Sequence, residues 1–562
     1  MRFLGQGQCS AWVRVFVYAA MVLVAAGTGS AMAVDNDAVG PGEVPTDTRA
    51  ALEHLLSSAA SQTAAKPSNK RESVRIQLLA LYDARDFAPI WSGDSNADDR
   101  AQIARFTLEH ASEQGLNSSD YLTPLAAWKE PPAGGADAAK YDIALTEAIL
   151  RYAADVRFGR VRPNDVYKDV RVLPQTYEIA PDFEEAISHN RLDAFLASLP
   201  PPDPGYRGLV AALARYRAIL AKGGWPSIKG GKGLSRRLAL EDPELAAIPA
   251  PTDDDVKGAV VRYEIRNGLN PDGKAGPDVM KALSLPASWR VGQIIANIER
   301  WRWLPRVLQQ RYVMVNVPDQ SLDFMIDGQP VLHSKVVIGK KKTPTPILET
   351  WVKAIVANPP WDVPDNLVAA DLLPHLRRSP GYLASRNYVL ADGPAGDPHG
   401  RKVNWRGVTA NSIPYQIQQP PGPTNVLGVL MFDMPNPFDV YMHDTSNKKL
   451  FDSNMREMSN GCIRVQQVLP LASLVLTGDA QDGLDQINAA IATHQTQRIA
   501  LDSPFPVFLV YWTAIATPDG TAGFRPDIYD RDKVLIDKLG AKAVQPAASA
   551  ARPASSRSLS RK

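Results

Sequence analysis

At Tyr312 the hydrophobic pattern of this chain changes period, and no other feature restricts its fold as much. Upstream, apolar residues recur at helical spacing, as in Ile76, Leu78, Leu79, Leu81 and Tyr82, or in Ile143, Leu145, Ile149 and Tyr152. Downstream they come in short β-branched and aromatic runs: Tyr312-Val-Met-Val-Asn-Val, Leu322-Asp-Phe-Met-Ile and Val331-Leu-His-Ser-Lys-Val-Val-Ile. Asp327-Gly328 stands between the last two as a hairpin turn. The sequence therefore predicts helical domains followed by a β-rich one. A length of 562 residues with 45% hydrophobic content suffices for about three or four domains. A formal net charge of +2 argues against a dedicated nucleic-acid binder, which would carry a strong basic excess.

The boundaries follow from composition. Residues 1–33 read as a secretory signal, with Arg2 and Arg14 at the front, a short apolar run from Val15 to Ala26, and Ala31-Met32-Ala33 as a cleavage site. Export to the periplasm or cell envelope is expected, with an uncleaved anchor as the alternative. Residues 34–72 are rich in Ala, Ser, Pro and Asp, apart from Leu52, Leu55 and Leu56, and read as a linker. Residues 73–240 form a helical domain that ends in a Gly/Lys-rich stretch. Residues 250–305 form a smaller helical unit, with Val256, Val260, Val261 and Ile265 as its stripe and Gly268 as a cap. Trp301 and Trp303 are expected to pack at its junction rather than to serve as a sugar platform. Residues 311–540 form the β-rich domain, interrupted at about 364–423 by a Pro/Gly-rich insertion of the kind that makes a lid or binding loop. Residues 541–562 read as a disordered basic tail.

The chemistry concentrates in Tyr441 to Val465. If the signal is removed Cys9 goes with it, leaving Cys462 as an unpaired thiol in a non-reducing compartment. A thiol attacks as its thiolate, so a catalytic cysteine needs a base, nearby positive charge and amides aimed at the developing oxyanion. Ser459-Asn460-Gly461-Cys462-Ile463-Arg464 supplies a glycine turn and a cation, and His443 is a candidate base on a neighbouring strand. From the residues alone, a small buried cysteine with an unrelated histidine stays open. No metal or cofactor is implied, since His443 lacks a partner at zinc-ligand spacing and His333, His375 and His399 are scattered singles.

His443-Asp444-Thr445, Leu450-Phe451 and Ser459-x-Gly461-Cys462-Ile463-Arg464 resemble the HxT...SxGCxR signature of the YkuD-type L,D-transpeptidases, in particular their large YcbB-like members. One position departs from the pattern: Asn460 stands where the family commonly has a second histidine. The smaller helical unit, through Gly268-Leu269, Asp272-Gly273 and Gly276, resembles the type-1 peptidoglycan-binding domain, and the insertion resembles a capping subdomain. The fold class implied is a β-rich YkuD-type catalytic domain with an inserted capping subdomain, an α-helical scaffold and a small peptidoglycan-binding-like domain.

The resemblance further implies an acyltransferase acting on peptidoglycan stem peptides as donor and acceptor through a Cys462 thioester. It would form crosslinks, or link envelope proteins to the wall as alternative acceptors. His443 would be the base, with an imidazole pKa near about 6.5 suiting both directions of proton transfer. Asp444 would orient its ring through the backbone carbonyl or the carboxylate. The amides of Gly461 and Cys462 would form the oxyanion hole. Arg464 would bind a stem carboxylate or hold the loop, Ser459 and Asn460 would shape the donor pocket, and Tyr441 and Trp361 would line it. The alternatives are a cysteine L,D-carboxypeptidase or other hydrolase of the same stems, and a non-catalytic wall-binding protein.

Overall fold

The computed structural model describes residues 47–60, 70–173, 175, 178–226, 228, 230–410 and 412–540. The signal, the first part of the expected linker and the basic tail lie outside the described residues.

The N-terminal helices bury the faces that their spacing predicts. In Gly135–Phe158 the buried positions Tyr141, Leu145, Ala148, Tyr152 and Val156 recur every third or fourth residue, giving one continuous stripe. Val74, Leu78, Leu81 and Tyr82 of the helix Lys70–Ala84 join the same core. At its centre Asp142, 1% exposed, accepts from the amides of Ile90 and Trp91 and from the Tyr82 hydroxyl, so the buried carboxylate is fully engaged. The expected linker is shorter than its composition suggested. Thr48–Ala60 is a helix whose Ala51, Leu52 and Leu56 are buried in this core. The three-leucine patch was the signal, masked by the polar and small residues around it.

Two further boundaries shift. The helix Pro204–Ala221, within the expected scaffold, puts Leu209, Ala212, Leu213 and Tyr216 into the core of the β domain. The helix Ala287–Trp301, within the expected peptidoglycan-binding-like unit, is buried on nearly every side and shares that core. The small unit keeps its own cluster of Leu238, Leu245, Ala259, Val260, Tyr263, Val279 and Leu283. Its helix Asp253–Arg266 starts on a Thr252/Asp255 capping box. Trp301 stacks on Trp512 with ring centroids 4.2 Å apart, and the Trp303 indole donates to the Val161 carbonyl at 2.9 Å. Both therefore pack at the junction.

Strand β1 (Val170–Arg171) comes from the helical part and pairs with β5 (Ile347–Ala357). Before β5 run β2 (Arg311–Asn316), β3 (Ser321–Ile326) and β4 (Gln329–Gly339) as an antiparallel meander. The β3–β4 hairpin turns on Asp327 (φ 49°) and Gly328 (φ 75°), the two left-handed residues that a twist-matched hairpin requires. After β5 come β6 (Trp361–Asp362), β7 (Val389–Leu390) and β8 (Ile417–Gln419), a small sheet belonging to the insertion. Around it Val363, Val368, Leu372, Leu376, Trp405 and Ile417 form a separate core.

The chain then returns through β9 (Leu430–Asp433), β10 (Met442–His443), β11 (Glu457–Ser459), β12 (Ile463–Val465) and β13 (Gln497–Val510). The main sheet runs β5-β13-β2-β3-β4-β12-β10-β9, and β9 pairs back onto β5. The sheet thus closes on itself. Closure leaves few free edges and holds β10 and β12 between fixed neighbours, which gives the site a rigid floor.

Candidate active site

β10 and β12 pair in parallel, with Met442 opposite Ile463 and His443 opposite Arg464. Side chains alternate across a strand, so this register decides the site. Met442 and Ile463, both fully buried, point into the core. Tyr441, His443, Cys462 and Arg464 therefore share the opposite face, with His443 directly across from Arg464 and one position along the ladder from Cys462.

The turn that presents the thiol is tightly bonded. Gly461 adopts φ 122°, a conformation strained for any side chain, although a Cβ there would meet nothing closer than Val440 at 3.4 Å. The Ser459 hydroxyl, on a residue 4% exposed, accepts from the Gly461 amide at 3.1 Å and donates to the Cys462 carbonyl at 2.6 Å. Two expectations change as a result. Ser459 is turned inward to hold the turn instead of facing a donor pocket. The Gly461 amide is already committed, whereas the Cys462 amide donates to no protein group among the described residues. Asn460 is exposed at the tip.

Cys462 keeps part of its surface in solvent, and its thiol faces the Asp439 carbonyl at 3.8 Å. Packing around the sulfur pushes the thiol pKa up. The backbone and hydroxyl of Tyr441 and the Arg464 charge draw it back without cancelling the rise. His443 is 3% exposed, and burial, reinforced by the Arg464 charge, lowers its pKa from 6.5 to about 3; the backbones of Asp444 and Leu427 oppose the fall. The imidazole is therefore not poised near neutrality as its ordinary value suggested. It rests as a neutral ring on the same face as a neutral thiol, and its Nδ1 is buried without a hydrogen-bond partner among the described residues.

Asp444 has its carboxylate turned away from the ring: it accepts from the Val429 amide at 3.0 Å and pairs with Lys448. Gly428 (φ 65°) lets the loop approach, since a Cβ there would sit 2.3 Å from the carboxylate. Of the two ways in which Asp444 was expected to orient His443, only its backbone faces the imidazole. Arg464 is half-buried and its guanidinium forms no ion pair or hydrogen bond among the described residues, with its Nε shielded and unpartnered. Burial lowers its pKa, and the neighbouring Cys462 opposes the fall. A cation left this way has its charge available for a ligand anion.

Tyr441 packs edge-on against His443, with centroids 5.7 Å apart. Its hydroxyl lies between Cys462 and Trp361, with its pKa raised by burial and by the sulfur. Trp361 opens the insertion on β6, so Tyr441 links the insertion to the nucleophile face. Sequence reasoning missed Asp439 and Leu427, whose backbones meet the thiol and the imidazole. The only signal was the turn chemistry of Pro435-Asn-Pro and Thr424-Asn on either side of β9.

Residues 310–486 match the YkuD family, described as the L,D-transpeptidase catalytic domain, and residues 76–213 match the scaffold domain family. The chain is similar to a Haemophilus influenzae protein whose name assigns it provisionally as an L,D-transpeptidase. The two are 26% identical over 461 residues, which is 82% of this chain and 78% of that one. The chain is thus multidomain, with a β-rich region that matches the L,D-transpeptidase catalytic domain and a helical region before it that matches the scaffold domain. It carries a YkuD-type L,D-transpeptidase catalytic domain joined to a scaffold domain.

Proposed function

We propose that the protein is an exported L,D-transpeptidase that acts on peptidoglycan stem peptides through a Cys462 thioester. The observation that carries this reading is the shared face of Cys462, His443 and the unpaired Arg464 on the parallel β10–β12 pair. Cys462 Sγ attacks the L-centre carbonyl of a donor stem as neutral His443 takes the thiol proton. The tetrahedral oxyanion meets the Cys462 amide. Collapse breaks the C–N bond, and the proton passes from His443 to the departing D-residue amine. An acceptor amine then loses a proton to His443, attacks the thioester and releases the thiol.

The depressed imidazole pKa fits a mechanism in which proton transfer accompanies attack, because no resting thiolate–imidazolium pair is needed. Arg464 receives a stem carboxylate, and Trp361 with Tyr441 lines the donor side. The acceptor is an amine of a second stem, with an envelope protein amine as the other acceptor of the same acyl-enzyme.

The test is purified protein mixed with a disaccharide-tetrapeptide and analysed by mass. Wild type is expected to release the terminal D-residue and form dimers linked through the L-centre. Cys462→Ala is expected to fold and release nothing. Turnover by the folded variant would overturn the reading, while release of the D-residue with only water taken up would make the protein a hydrolase.

A further inference from the structure

The Gly461–Cys462 peptide has an N–H that donates to no protein group among the described residues, and its carbonyl is held by a residue that the reading above does not use. Thr345 is fully buried on the loop between β4 and β5. Its hydroxyl donates to the Gly461 carbonyl at 2.7 Å and accepts from the Gly339 amide at 2.9 Å. A hydroxyl has one hydrogen, and with Gly339 occupying an acceptor position that hydrogen is directed to Gly461.

The clamp is itself held from behind. The Thr345 amide donates to the Tyr529 hydroxyl at 3.3 Å, and that hydroxyl donates to the Gly339 carbonyl at 2.5 Å. The loop folds so closely on the end of β4 that a Cβ on Gly339 would lie 2.2 Å from the Thr343 carbonyl. Thr345 is thus given little freedom to move away.

The peptide unit is planar and trans, so its C=O and N–H point in opposite directions. Fixing the Gly461 carbonyl therefore fixes where the Cys462 N–H points. A hydrogen bond received at the carbonyl also polarises the unit and strengthens its N–H as a donor. We propose that Thr345 is a positioning residue for the oxyanion site, orienting and polarising the Gly461–Cys462 peptide so that the Cys462 amide receives the developing charge. This rests on Cys462 being the nucleophile.

The experiment compares two reactions of the same thiol. Acylation by a carbapenem forms an Sγ–C bond at the lactam carbonyl, breaks the lactam C–N bond and protonates the nitrogen, passing through an oxyanion. Alkylation by iodoacetamide displaces iodide from a saturated carbon and forms none. For Thr345→Val, acylation followed by intact-protein mass is expected to slow by about tenfold to a hundredfold, as for loss of an aligned oxyanion donor. Alkylation is expected to stay within about twofold, because the thiol and its base are untouched. Thr345→Ser, which keeps the hydroxyl, is expected to restore acylation to within about threefold.

Equal acylation by Thr345→Val and wild type, an equal loss of both reactions, or no rescue by serine would overturn the proposal. If Thr345→Val does not fold, Tyr529→Phe takes its place. Acylation lowered by about threefold or more with alkylation unchanged supports the clamp, and parallel rates overturn it. Wild type that is never acylated at Cys462 would instead remove the underlying reading.

Discussion

Two parts of the β domain bury arginines, and they treat them in opposite ways. At the junction behind the sheet, Arg300 pairs with Asp532 at 2.6 Å and Arg302 with Glu299 at 3.0 Å, all four side chains at most 2% exposed. Burial works against the Arg300 charge, but Tyr167 and Asp532 outweigh it and its pKa rises. On the nucleophile face, Arg464 has no such partner among the described residues, and burial lowers its pKa. The two junction guanidiniums are each matched by a carboxylate, whereas no carboxylate among the described residues meets Arg464. The cost of shielding Arg464 is an uncompensated charge that a stem carboxylate would neutralise.

The comparison breaks most readily from the junction side. Asp532→Ala leaves Arg300 buried without its ion pair and is expected to cost about 3–5 kcal/mol, read as a lower denaturant midpoint. Arg464→Met removes a buried charge that has no ion pair among the described residues, so its midpoint is expected to stay at or above that of wild type. Its kcat/KM should nonetheless fall about a hundredfold, close to 2.7 kcal/mol in barrier. If Arg464→Met unfolds as early as Asp532→Ala, the contrast is wrong.

Acidity sharpens the same point. With His443 near 3, the acidic limb of kcat/KM is expected far below pH 6.5, and Arg464→Met should move it upward because one source of the depression is gone. Between pH 6.5 and about 3 the unfolded state binds a proton at this histidine that the folded state refuses. Stability from the neutral ring is therefore complete above pH 6.5 and lost as pH falls toward 3, and His443→Gln should flatten that part of the curve. A stability curve unchanged in the variant would show that the ring is not held neutral by burial.

The smallest effect belongs to Asn460. It is exposed at the tip of the turn, so Asn460→His is expected to change the rate by less than about tenfold, roughly 1.4 kcal/mol. An acidic limb displaced by about a full pH unit would instead show that a histidine there tunes the thiol.

What was legible in the sequence was whatever depends on local order. The period change at Tyr312, the Asp327-Gly328 hairpin and the adjacency of the strands that carry His443 and Cys462 follow from residue types and alternation. What was not legible depends on which direction a group faces once packed. Ser459 read as a pocket residue because hydroxyls bind substrates, but its place two residues before a left-handed glycine lets it close the turn on itself. Gly461 read as an oxyanion donor for the same reason that its amide is consumed. His443 kept its ordinary pKa on paper because burial and the nearness of Arg464 are properties of the closed sheet. Thr48–Ala60 and Ala287–Trp301 were assigned by composition and by motif, whereas the structure groups them by the core each one fills.

The central claim is that Cys462 carries the acyl group. Quenching the reaction with a tetrapeptide donor in acid and mapping the protein by mass should place a thioester-linked tripeptide acyl group on the peptide containing Cys462, and it should disappear when the acceptor amine is added. Crosslinks that form with no adduct on that peptide, or with the acyl group on another residue, would contradict it.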